Sequence, residues 1–244
     1  MVCIKPKGAP TSRIAVLSDI HANLHALESA LAFIDRAHVD DVFCLGDIVG
    51  YGANPNECVA LVRKHCRATV KGNHDLAATD LVHANYFTAP GKTAAIWTNK
   101  TLTQDNFDYL ASLPMIQTTA GITLVHSSPD APHEWHYVLS LETAALQFRH
   151  FTTEVCFIGH THIPIVCGEN LKTFMLKKGM KFIINTGSVG QPRDGNPQLS
   201  FGIFDDGEWK YENVRAEYDI PGAAAAIVNA GLPQVLATRL SHGF

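Results

Sequence analysis

The sequence predicts an α/β protein built on parallel strands joined by crossover helices, and three observations carry that prediction. Over its first third, short β-branched apolar runs alternate with stretches of helical periodicity. Each of those runs ends in a cluster of polar residues, and in parallel sheets ligands gather beyond the carboxyl ends of the strands. The second half turns strand-rich, with hairpin signals at Ala120-Gly121 and Asp206-Gly207.

The elements follow in order. Arg13 to Ser18 (RIAVLS) reads as a strand ending at Asp19. Leu24, Leu27, Leu31 and Ile34 recur at helical spacing and predict a helix from Leu24 to Ala37. Asp41 to Leu45 is the next strand, ending in Gly46-Asp47. Asn54 as cap and Pro55 at the first helical position open a helix running to about His65. Ala68 to Lys71 is a third strand, ending in Gly72-Asn73-His74-Asp75. A helical pattern covers Tyr86 to Leu113 and stops before Pro114. Strands are then expected over Ile116 to Thr119, Ile122 to His126, Val155 to Ile158, Ile163 to Cys167, Thr173 to Leu176, Lys181 to Asn185, Ser200 to Phe204 and Glu208 to Val214. Helical patterns return over Pro221 to Gly231 and Leu232 to Arg239, and without repeat or linker the chain reads as one domain, 1–244.

With 46% hydrophobic and 17% charged residues, 244 residues suffice for a large core. A net charge of −4 without a Lys/Arg run argues against long nucleic acids and anionic membranes as partners. A phosphate site would therefore need positive charge from elsewhere. The amino-terminal MVCIKPKGAPTSR lacks the apolar middle of a secretory signal, and no run reaches the roughly 18 apolar residues of a membrane span. The expectation is a cytoplasmic protein. Cys3, Cys44, Cys58, Cys66, Cys156 and Cys167 show no Cys-x-x-Cys spacing and are expected to be reduced and structural.

Metal-ligand residue types stand after five apolar runs: Asp19 and His21, Asp47, Asn73 with His74, His126, and His160 with His162 in FIGHTHIP. Each alone is compatible with a turn or a cap. Together they point to a metal site. They exceed the four ligands of a closed zinc site and suit an open two-ion centre. Mixed imidazole, amide and carboxylate donors favour transition metals such as manganese, iron or zinc over magnesium or calcium. In an extended chain His160 and His162 would face the same way.

The ordered set Asp19-x-His21, Gly46-Asp47, Gly72-Asn73-His74-Asp75, His126 and Gly159-His160-Thr161-His162 resembles the calcineurin-like metallophosphoesterase superfamily. SDIHAN, CLGDIVGYG and NTGSVGQPRDG look like its small prokaryotic branch of phosphodiesterases and diadenosine-tetraphosphatase relatives. The resemblance implies a four-layer αββα sandwich of two mixed β-sheets flanked by helices. It also implies that Asp19, His21 and His162 hold one divalent ion, that Asn73, His126 and His160 hold the other, and that Asp47 bridges them, with manganese the ion of choice in vitro. His74 would serve as general acid to a metal-bridging hydroxide attacking a small phosphorylated substrate, a phosphodiester, a monoester or a nucleotide, with Asp75 orienting its imidazole.

Asp47 is followed by Ile48 and Val49 where serine/threonine phosphatases of the family carry Asp-Arg, which disfavours a protein phosphatase. Arg193 is the candidate replacement for that arginine, with a solvated loop charge as its other reading. Asn23 reads equally as a phosphate contact or as a helix cap. HEWH (His133 to His136) has the wrong spacing for a zinc-protease motif and is expected to be loop, with His133, His136 or Tyr137 at the substrate entrance as a lesser reading. Thr186-Gly187-Ser188-Val189-Gly190 lacks the spacing of a nucleophile elbow. A dinucleoside polyphosphate hydrolase or a protein phosphatase is the alternative function, and a non-catalytic scaffold ranks below both. The oligomeric state stays open.

Overall fold

Ile14 and Val16 face one way along the first strand and Ala15 and Leu17 the other, and all four are fully buried. A strand buried on both faces must lie inside a layered structure. In the computed structural model, which describes residues 12–244, that strand, β1 (Arg13–Leu17), is the middle of a five-stranded sheet. It pairs in parallel with β2 (Asp41–Cys44), which pairs in parallel with the short β3 (Ala68–Thr69). On its other side lie the antiparallel strands β9 (Leu199–Asp205) and β10 (Lys210–Ala216), joined by the hairpin at Asp206-Gly207. The second sheet runs β4 (Ile116–Thr119), β5 (Ile122–Val125), β6 (Val155–Ile158), β8 (Phe182–Asn185) and β7 (Ile165–Gly168). In it β5, β6 and β8 are parallel and the two edge strands antiparallel.

Alternation along the strands sorts the core into layers. Ile14, Val16 and Phe43 from one sheet meet Leu124, Phe157 and Ile184 from the other in a single apolar cluster. The Phe157 and Phe204 rings meet there with centroids 6.0 Å apart. On the outer face of the first sheet, Ala15, Leu17, Val42 and Cys44 pack beneath α1 (Leu24–Arg36) and α2 (Pro55–His65). Cys156 and Ile158, on the outer face of the second, pack against Ala144 of α6 (Leu141–Gln147) and Phe148. The result is helix, sheet, sheet, helix, the four-layer sandwich.

Several elements differ from expectation, for local reasons. The pattern from Tyr86 to Leu113 splits into α4 (Ala89–Thr101) and α5 (Gln104–Ser112), because the chain extends at Leu102 and Thr103 caps the second helix. Asn73–Thr79 forms a short helix, α3, where a polar strand end was expected; it is too brief to show periodicity. Thr173 to Leu176 is not a strand, since Phe174 and Met175 are exposed and bury nothing. Asn54 holds the cap position of α2, but its side chain makes no capping bond. The cysteines of the described residues, Cys44, Cys58, Cys66, Cys156 and Cys167, are free thiols, and Cys3 lies outside the described residues, as does most of the amino-terminal stretch. No helix among the described residues is long and apolar enough to cross a membrane.

Because Phe157 is fully buried between the sheets, Phe157→Ala is expected to lower unfolding stability by about 3–5 kcal/mol. A guanidinium titration with an unshifted midpoint would show that the inter-sheet layer is not the main core.

Candidate metal centre

The residues singled out at the strand ends converge on one buried cluster, and the backbone that brings them there is left-handed. Asp19, His21, Asp47, His160 and His162 have φ of 53°, 52°, 50°, 66° and 61°. Such conformations cost a non-glycine residue about 1–2 kcal/mol each. Cross-loop bonds offset that cost: Asp19 N–H donates to Gly46 O, His21 N–H to Asp47 O, and Gly190 N–H to Asp19 O. The strand β6 stops at Ile158, so the extended-chain alternation expected for His160 and His162 does not operate. Two close approaches demand glycine. A Cβ on Gly72 would lie 2.0 Å from Asp47 Oδ1, and one on Gly159 would lie 1.9 Å from Ser18 Oγ.

Donor atoms gather in two adjoining knots. In the first, His21 Nε2 and His162 Nε2 are 3.1 Å apart, and His162 Nε2 is 3.2 Å from Asp19 Oδ1. In the second, His126 Nε2 is 3.2 Å from both Asn73 Oδ1 and His160 Nδ1, and 3.3 Å from Asp47 Oδ2. Asp47 Oδ2 also lies 3.7 Å from His21 Nε2, so it stands between the knots. Each carboxylate divides its oxygens: Asp19 Oδ2 accepts from His160 N–H and Ser18 O–H, and Asp47 Oδ1 accepts from His74 N–H. The other oxygen of each faces the cluster.

Whether these residues fit a cation is decided by the outer ring nitrogens. His21 Nδ1 faces Val49 O, His126 Nδ1 faces Leu45 O and His162 Nδ1 faces Gln191 O. With Nδ1–H donating to a carbonyl, the neutral form of each imidazole presents the Nε2 lone pair inward. His21 Nε2, His162 Nε2 and Asp19 Oδ1, which receives no hydrogen bond, are then three acceptors facing one another. Such a set calls for a shared cation, and the donor set fits a divalent metal.

The electrostatics agree. Burial opposes charge on Asp19 and Asp47, but the imidazoles beside them hold both carboxyls well below the usual range. Burial pushes His160 down to about 3 and His74 to about 4, and lowers His21 and His162. His126 is the exception. Burial works against its charge too, yet Asp47 and Asp19 outweigh it and lift its imidazole to about 9. Without a metal, the cluster thus balances its carboxylates with a proton on His126, which an ion would displace.

Above the cluster opens a cleft of about 150 Å³, with Asp47, Asn73, His74, His160 and His162 in its floor. His74 is wedged between Tyr51 and Phe87, both at ring separations of 4.3 Å, and its buried Nδ1 has no partner. Asp75 does not orient it. The Asp75 carboxylate instead accepts from the N–H groups of Ile48, Val49 and Gly72, tying the loop after β2 to the start of α3. Its charge is spent on the backbone, and burial with Asp47 nearby raises its pKa to about 7.

Asn23 does not reach the cleft: its amide oxygen caps α1 through Ala26 N–H and its nitrogen donates to Gly190 O. Arg193 lines the cleft. His133 and His136 are exposed beside Glu134 and do not line the cleft, whereas Tyr137 stacks on His160 at 4.1 Å. Ser188 is fully buried and donates to Asp19 O, so it is no nucleophile. Tyr51 was legible only as part of a loop. Its ring packs on His21 at 4.6 Å as well as on His74, and the flanking Gly50 and Gly52 were the signal for such a close approach.

The domain model of the calcineurin-like phosphoesterase superfamily matches residues 13–207. An uncharacterized protein of Methanocaldococcus jannaschii is 41% identical over 242 residues, covering 95% of this chain and 98% of that one. A metallophosphoesterase from Sphaerobacter thermophilus is similar in structure, with a TM-score of 0.85 and 38% identity over 96% of this chain and 100% of that one. A hypothetical protein from Pyrococcus horikoshii shares the fold, with a TM-score of 0.81 at 21% identity over 95% and 98% of the two chains.

Manganese added to chelator-treated protein at about 100 times its dissociation constant should stabilise the fold by about 2.7 kcal/mol, read as a raised melting temperature. Gly72→Ala pushes into Asp47 and should weaken manganese binding about 10–100-fold. Gly179→Ala, strained by a φ of 81° but with a Cβ that would meet nothing within 4 Å, serves as the control for backbone strain outside the cluster. Equal affinities for the two variants would remove Asp47 from the site.

Proposed function

The chain belongs to the calcineurin-like phosphoesterase superfamily, and on that premise we propose that it is a divalent-metal-dependent hydrolase of small phosphate esters, nucleotides among them. The observation that carries the reading is the pair of donor knots with Asp47 between them. Asp19, His21 and His162 would hold one ion in this reading and Asn73, His126 and His160 the other, with Asp47 standing between the two sets. Bound there, manganese, iron or zinc would supply Lewis acidity toward a phosphoryl group and a water molecule.

The remaining work falls to the chain's own residues. Val49 O, Leu45 O and Gln191 O hold the imidazoles of His21, His126 and His162 with Nε2 inward. Asp75 holds the start of α3, and with it Asn73 and His74, against the loop that carries Asp47. His74 lines the cleft beside Asp47; in this reading it gives a proton to the leaving oxygen once the charge of a bound phosphoryl group offsets the burial that holds its imidazole at about 4. Tyr51 and Phe87 confine its ring and keep water from it. A small cleft suits a small ester better than a phosphoprotein loop, and the absence of Asp-Arg after Asp47 supports the same preference.

Bis-p-nitrophenyl phosphate with added manganese tests the activity, and no turnover across several metals and phosphate esters would return the protein to a binding scaffold. His74→Ala is expected to cut kcat by about 10²–10⁴ while metal content per chain stays unchanged. Loss of the metal together with the activity would instead make His74 a ligand. In crystals of the variants, anomalous scattering should show His162→Ala depleting the ion near His21 and His160→Ala the ion near His126; the same depletion in both contradicts the assignment.

A further inference from the structure

The rings of Tyr51, Tyr86, Phe87 and Tyr137 all stand in the lining of the cleft. Tyr51 and Phe87 are spent on the site itself, because each lies 4.3 Å from the His74 ring. The other two are open. Tyr137 stacks on His160 with ring centroids 4.1 Å apart and planes 21° from parallel, yet it stays 50% exposed. One face of its ring is therefore covered by the imidazole and the other is free. Tyr86 ends the turn His83–Tyr86, directly before Phe87, and is 85% exposed. It packs on no other ring, and neither tyrosine hydroxyl has a hydrogen-bond partner among the described residues.

Exposed aromatic surface carries meaning where it gathers at one place. Tyr86, Tyr137, Phe174 and Phe244 are the exposed Phe, Tyr and Trp side chains of the described residues, and the first two belong to this cleft. The fold does not call for them there, since neither joins any of the apolar clusters. Around the donor knots the cleft offers charge and lone pairs to a phosphoryl group, whereas these rings offer flat apolar faces. Such faces pair well with another ring in an offset stack. A nucleobase presents a π-face of that kind, and a nucleotide joins it to a phosphoryl group within one small molecule. Laid on the free face of Tyr137, a base would extend the existing stack one ring beyond His160.

We propose that Tyr137 and Tyr86 are specificity-determining residues that stack on a nucleobase of the substrate while its phosphoryl group lies at the donor knots. The placing of the phosphoryl group rests on the phosphoesterase reading; the base contact stands on the two open rings.

Titration calorimetry on the manganese-loaded protein can compare the hydrolysis-resistant methylenephosphonate analogues of adenosine 5′-monophosphate and ribose 5-phosphate, which differ only in the base. The adenosine analogue should bind at least about tenfold more tightly, and the ratio of the two affinities should fall about fivefold or more in Tyr137→Leu and in Tyr86→Ser. Tyr137→Phe, which keeps the ring, should retain the ratio, as should Phe174→Ser at an exposed ring outside the cleft. Manganese content per chain is measured alongside, and should Tyr137→Leu lose metal by disturbing His160, the exposed Tyr86→Ser decides. Equal affinities for the two analogues, no binding of either, or a ratio unaltered in both tyrosine variants overturns the base contact even if bis-p-nitrophenyl phosphate is hydrolysed. Conversely, a ratio that depends on the tyrosines upholds it even if no ester is turned over, and then only the hydrolase reading fails.

Discussion

Two buried carboxylates, Asp19 and Asp47, set the constraint around which the molecule is arranged. An isolated buried charge is far too costly to keep, so each must be surrounded by donors or neutralised by a cation. One oxygen of each is satisfied by backbone N–H groups, those of His160 and His74. The other faces imidazole nitrogens whose protons point outward to carbonyls. That arrangement stores an electrostatic demand which a proton on His126 meets in part and a divalent ion would meet in full.

Holding such a cluster requires rigid supports, and the two-sheet core supplies them. The parallel strands of both sheets stop at comparable depth, so their following loops face one another across the sandwich edge. The inter-sheet layer of Phe43, Phe157 and Ile184 fixes the distance between those edges. At Asp19, His21, Asp47, His160 and His162 left-handed backbone turns the side chains inward, and the cross-loop hydrogen bonds keep those loops from relaxing. Gly72 and Gly159 are the places where two loops touch too closely for a side chain.

The rim of the site is assembled differently from its floor. The floor comes from loops after the parallel strands, whereas the rim combines Tyr51, Tyr137 and Arg193 from segments distant in sequence. The C-terminal helices α7 (Ile220–Asn229) and α8 (Gln234–Thr238) bury apolar side chains with Tyr51 and Ala94 and so pack behind the Tyr51 loop.

Most strands and the helices α1, α2 and α7 were legible in the sequence, because apolar alternation, helical spacing, Asn23 and Pro55 act within a few residues. The types and order of the cluster residues were legible for the same reason: each follows its own apolar run. Other features depend on contacts between distant segments. Asp75 stands next to His74 yet serves Ile48 and Val49, Asn23 serves as a cap and a tie to Gly190, and α3 is too short to announce itself. His160 and His162 look like neighbours on one face, but left-handed turns send them to different knots. The sequence by itself determined most strands and helices and the chemistry available at the strand ends, since those patterns are local, while the four layers were implied by the family resemblance. Only the tertiary structure decided which nitrogen faces which oxygen and which aromatic rings line the cleft, since those geometries are held by hydrogen bonds and packing between loops far apart in the chain.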